Sequence, residues 1–178
     1  LAALMVWLAV IAAIVWAAGS VRAGEPEPAQ RVDNDPVLRA EAARVETIAR
    51  VAPAVVCVYD EAQHGGGSGV VIDREGYGLT NFHVVAGMMA KAGGLPARRD
   101  QTWGRGWGGL GDGKLYELEV LGVDPTGDVA MFRLTGRDSF PFATLGDSDA
   151  VAAGDVVFAM GNPFVLSQDY TPSVSMGI

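Results

Sequence analysis

The stretch Gly67-Ser68-Gly69-Val70-Val71-Ile72-Asp73-Arg74-Glu75-Gly76-Tyr77-Gly78-Leu79-Thr80-Asn81-Phe82-His83-Val84-Val85 decides how this chain is read. Residues 68–72 are mostly β-branched and apolar, which suits a pleated, half-buried strand. Asp73-Arg74-Glu75-Gly76 is a turn, and residues 77–81 return as a second strand. Ser68 lies among glycines, yet Gly-x-Ser-x-Gly would need Gly where Val70 stands, so Ser68 is read as a strand residue.

The same pattern extends outward. Upstream, Ala54-Val55-Val56-Cys57-Val58-Tyr59 is a buried strand, with Cys57 a small core hydrophobe. Residues 61–67 form a flexible loop holding His64, an exposed residue. Downstream, residues 115–123 and 129–134 are strands joined by the turn Asp124-Pro125-Thr126-Gly127, and residues 156–160 are another, closed by Gly161-Asn162-Pro163. Short strands with Gly, Asp and Pro turns at this spacing indicate an antiparallel barrel or sandwich. Residues 93–113, with Arg98, Arg99, Trp103 and Trp107, read as a long surface excursion. Before the strands, Asp35 caps a helix with Pro36 at its first position. Leu38, Ala42, Val45, Ile48 and Ala49 share one face of it. Pro53 ends it by Ala52, and it serves as a lid on the domain or as a spacer.

Composition narrows the function. With 178 residues, 49% hydrophobic and 19% charged, the chain is a folded domain with appendages. A net charge of −8 excludes a nucleic-acid binder held by phosphate contacts. One cysteine excludes an internal disulfide, and two histidines with one cysteine argue against a zinc cluster. No metal or organic cofactor is expected. Gly106-Trp107-Gly108-Gly109-Leu110-Gly111 spells Gly-x-Gly-x-x-Gly but lacks the strand before and helix after that a dinucleotide site requires. Gly108–Lys114 matches part of a phosphate loop, but Leu115 stands where the Mg²⁺-binding hydroxyl belongs, so Asp112-Gly113 is read as a hairpin turn.

Residues 1–18 carry no charged side chain. They are long for a signal peptide core and at the lower limit for a bilayer span. Val21-Arg22-Ala23 places small residues where a signal peptidase reads. Residues 1–24 are therefore a cleaved signal or a signal anchor, either of which exports the remainder. Glu25-Pro26-Glu27-Pro28 is a solvated tether. The absence of Met at position 1 and of a preceding basic region leads us to expect that the chain starts upstream.

Taken together, the 67–85 stretch, Asp124-Pro125-Thr126-Gly127-Asp128-Val129-Ala130, Leu145-Gly146-Asp147-Ser148-Asp149 and Gly161-Asn162-Pro163-Phe164 resemble the trypsin-like serine proteases of the HtrA (Deg) family, from about Val51 to Ile178. The resemblance implies an all-β, trypsin-like double β-barrel: residues 51–138 as the first barrel and 139–178 as the start of the second. These follow an N-terminal apolar helix (1–24) and an acidic linker with amphipathic helix (25–50). It implies that His83 is the catalytic histidine and Asp128 the triad aspartate. A histidine takes the proton of an attacking serine because its pKa lies near neutrality, and a buried carboxylate on its other nitrogen fixes the tautomer. It also implies polypeptide substrates, unfolded proteins among them, a homo-trimer, and an extracytoplasmic, periplasmic location with residues 1–18 as the membrane anchor if uncleaved.

One departure matters. The family's nucleophile sits in a Gly-Asn-Ser-Gly-Gly-type segment, and none of Ser139, Ser148, Ser167, Ser173 or Ser175 precedes a Gly-Gly pair. The expectation is a fragment of a longer serine endopeptidase, inactive alone. The rival readings are a non-catalytic trypsin-like module that binds peptides or acts as a scaffold, and a bilayer-tethered structural protein.

Overall fold

The structure is a computed structural model that describes residues 35–91, 102–162 and 167–178. The expected signal or anchor (1–24), the acidic tether, the start of the 93–113 segment and Pro163-Phe164 lie outside the described residues. Residues 43–178 form one compact unit. Helix α1 (Pro36–Val51) begins where Asp35-Pro36 places it: the Asp35 carboxylate accepts the Val37 N–H at 2.9 Å. It stops before the 3₁₀ turn Ala52–Ala54 that holds Pro53. No residue of α1 is buried, and Val45, assigned to its apolar face, is 61% exposed.

Six antiparallel strands close into a barrel: β1 (Val55–Asp60), β2 (Gly65–Val71), β3 (Tyr77–Thr80), β4 (Gly104–Leu110), β5 (Lys114–Asp124) and β6 (Val129–Thr135), in the order β1-β2-β3-β6-β5-β4. Closure removes the unpaired edges that an open sheet would expose. Period-2 alternation sets the inside. On β5, Tyr116, Leu118 and Val120 are buried while Glu117 faces solvent; on β6, Ala130, Phe132 and Leu134 are buried between exposed or half-exposed neighbours. Between β3 and β4 the chain forms α2 (Phe82–Lys91), whose Val85 and Met88 join the same core.

Two readings of glycine-rich segments change. The 93–113 segment is not wholly a surface excursion, because Gly104–Leu110 is β4, the strand that closes the barrel between β1 and β5. Its glycines match a nucleotide loop in spelling only. A Cβ at Gly106 would lie 2.2 Å from the Tyr59 carbonyl oxygen, and one at Gly108 2.6 Å from the Leu134 side chain. Second, Gly65–Gly67 belong to β2 and not to the preceding loop.

Beyond β6 the chain runs without regular structure, apart from a 3₁₀ turn at Ser148–Ala150, to a separate two-stranded antiparallel sheet. Its strands are β7 (Val157–Gly161) and β8 (Ser173–Gly177). Every residue of β8 is exposed. Asn162, at the end of β7, is buried; its backbone N–H donates to Ser68 Oγ on β2 at 2.9 Å.

Candidate active site

His83 and Asp128 are 45 residues apart in the chain, and strand register brings them together. β3 pairs with β6 so that Thr80 lies opposite Ala130. His83 stands just after the end of β3, and Asp128 just before the start of β6. In an antiparallel pair those two positions lie at the same end of the ladder. There His83 Nδ1 meets Asp128 Oδ2 at 2.8 Å, and the His83 backbone N–H donates to Asp128 Oδ1 at 2.9 Å.

The local structure around His83 differs from the sequence reading, which carried a strand through Asn81. The strand stops at Thr80, and His83 is the second residue of α2. The signal was present: Asn81 is a favoured helix cap, and Met88, Met89, Ala90 and Lys91 are good helix formers. Asn81 itself was missed as a site residue. Its Nδ2 lies 3.1 Å from the Asp128 carbonyl oxygen and 3.4 Å from Asp128 Oδ2. The Phe82 N–H donates to the same carbonyl at 3.2 Å.

The Asp128 carboxyl is held below its ordinary range, first by the His83 backbone N–H and then by the His83 ring, with burial opposing weakly. It is therefore ionised at neutral pH and can only accept. Nδ1 must then carry the proton, which leaves the His83 Nε2 lone pair as a base. Both side chains are open to solvent, 70% exposed for His83 and 45% for Asp128. The carboxylate read from the sequence as buried is thus half-open among the described residues. A groove of about 770 Å³ borders His83, with Ser68, Val84, Phe158 and Met160 among its walls.

His64 lies outside this site. It is exposed in the β1–β2 turn, where its backbone N–H donates to Asp60 Oδ1 at 2.9 Å. Cys57 is 1% exposed on β1, and burial raises its thiol pKa. Among the described residues no group of three or more His, Cys, Asp or Glu is placed to hold a metal ion. Among them, too, no helix is long and apolar enough to cross a membrane.

The six-stranded barrel thus carries a histidine–aspartate pair at one end of its β3–β6 ladder. The chain belongs to the trypsin-like peptidase domain family, which matches residues 67–178. It is 30% identical to the serine endoprotease DegS of Salmonella typhimurium over 71% of this chain and 34% of that protein. It is 31% identical to the mitochondrial serine protease HTRA2 of Bos taurus, over 72% and 27%. It is 34% identical to the periplasmic serine endoprotease DegP of Salmonella typhimurium, over 61% and 20%. Among solved structures, the HtrA-type protease AlgW with tripeptide superposes with a TM-score of 0.59 at 34% identity, covering 75% of this chain and 38% of that one. The chain spans between 20% and 34% of the length of these three curated relatives.

Proposed function

We propose that this chain supplies the histidine–aspartate half of the catalytic triad of an HtrA-type serine endopeptidase. The observation that carries the reading is the double hold of Asp128 on His83, through Nδ1 and through the backbone N–H. The nucleophile would be a serine in a Gly-x-Ser-Gly-type segment, so the reading concerns the protein in which these residues stand together with such a segment.

In that setting His83 Nε2 takes the serine hydroxyl proton as Oγ bonds to the scissile carbonyl carbon. The imidazolium that forms is stabilised by ionised Asp128. The C–N bond then breaks, and His83 returns the proton to the leaving amine. A water, deprotonated by the same Nε2, hydrolyses the acyl-enzyme. Asp128 does not itself take the proton.

Substrates on this reading are polypeptides, as supported by the peptides bound in AlgW structures. The location is extracytoplasmic, supported by the periplasmic DegP relatives and by the apolar residues 1–18, which would serve as export signal or anchor. The preference for unfolded proteins and the assembly into trimers rest on the family resemblance alone. Within the domain, residues 51–138 would form the first barrel and 139–178 the opening of the second.

Treating the full-length protein with a fluorophosphonate probe tests this. Labelling is expected, and His83→Ala should remove it. A folded protein that does not label would leave the scaffold reading, and one that labels equally well without His83 would show that His83 is not the base.

A further inference from the structure

We propose that Asn81 is a positioning residue of the triad, its side-chain amide fixing Asp128 by both the peptide carbonyl and the carboxylate so that Oδ2 faces the imidazole. This rests on the catalytic reading of His83 and Asp128.

Asn81 immediately precedes α2, and its carbonyl accepts the Val84 N–H at 3.2 Å. An asparagine in that place normally turns its side-chain oxygen inward to accept an N–H of the first helical turn. Here the N–H of His83, the second helical residue, goes instead to Asp128 Oδ1. The two residues have exchanged tasks: the aspartate from before β6 caps the helix, and the cap asparagine faces the aspartate. Both atoms that Asn81 meets, the Asp128 carbonyl oxygen and Oδ2, are acceptors. Only the NH₂ end of the amide can satisfy them, so the chemistry dictates its orientation.

Asp128 needs this support. Its φ is +51°, in the left-handed region that a non-glycine residue occupies only when its surroundings hold it there. The Asp128 carbonyl is gripped by Asn81 Nδ2 and the Phe82 N–H, and the carboxylate by His83 and Asn81. The pair is open to solvent, so neighbouring side chains do little to confine the carboxylate. Removing the amide takes one of two donors from the Asp128 carbonyl and leaves the carboxylate with His83 as its partner, so the placement of Oδ2 against Nδ1 is less firmly fixed. Asn81 lacks a titratable proton and acts through Asp128.

The test uses Asn81→Ser and Asn81→Ala in the full-length protein. Serine is as good a helix cap as asparagine but too short to span Asp128 as the amide does. If Asn81 positions the carboxylate, both variants should lose about 10²-fold in kcat with KM within about twofold, the signature of a misplaced catalytic group. The low-field imidazole Nδ1 proton resonance of the native protein should broaden or vanish in both, while the barrel amide spectrum stays unchanged. If Asn81→Ser keeps both kcat and that resonance, the amide does not position the carboxylate and the inference is overturned. Asp128→Asn is the control, since losing the carboxylate costs about 10⁴ in kcat in this kind of triad. Full activity in that control would bring down the triad reading itself, and this inference with it. An inactive control beside an active Asn81→Ser would overturn the inference alone.

Discussion

Two aspartates show how hydrogen-bond donors set the chemistry of exposed carboxylates. Asp128 keeps its charge because the backbone and ring of His83 donate to it, so it serves the imidazole as a constant acceptor through the pH range in which histidine titrates. Asp169 is also held low, at about 2 against an ordinary 3.8, first by the Ser167 hydroxyl and then by the Thr171 N–H. The turn it stabilises is tied to buried Asn162, whose amide donates to the Ser167 carbonyl and accepts the Ser167 N–H. A depressed carboxyl favours the folded turn above the unfolded pKa, and that advantage is lost as pH falls toward the folded value. The Thr171 amide resonance should therefore titrate with a midpoint near 2 and lose that step in Asp169→Asn. A midpoint close to 4 would show that the carboxylate is not held.

At the scale of elements, the β3–β6 ladder is what converts distant residues into a site. It is spaced by glycine. A Cβ on Gly78 of β3 would fall 2.3 Å from Phe132 Cζ and 2.6 Å from the Val70 carbonyl oxygen. Phe132 is fully buried at the centre of the barrel and cannot move aside freely. Gly78→Ala should cost about 1–3 kcal/mol, seen as a lower urea midpoint with the slope unchanged. An unshifted midpoint would mean that the ring has room the packing does not show. The strands of the ladder were legible in the sequence as short apolar runs beside the turn signals at residues 73–76 and 124–127; their pairing was not. Helix α2 was not, since β-branched Val84 and Val85 are weak helix formers and the His83 N–H is capped by Asp128, far along the chain.

For the whole molecule, the closed barrel and the β7–β8 sheet should differ in stability. The barrel has no free edge and buries one continuous core. The second sheet has two strands, β8 exposed throughout and β7 at most half-buried, and a two-stranded pair is marginal in water. Amide hydrogen exchange should be slowest at Val56, Leu118 and Phe132 and fast across β8, for instance at Ser175. Equal protection in both sheets would show that β7–β8 is covered by something the described residues do not include.

The chain's own order of residues determined the strand-rich character, the turns and the start of α1. Each of these depends on local periodicity, caps and motif spelling. It did not determine that Gly104–Leu110 is a strand, for a glycine-rich run carries no period of its own and becomes a strand only when β1 and β5 offer it partners on both sides. Nor did it show Asn81 as part of the site. That role exists only once register sets Thr80 against Ala130 and brings the loop before β6 within reach of an amide that, read locally, was a helix cap.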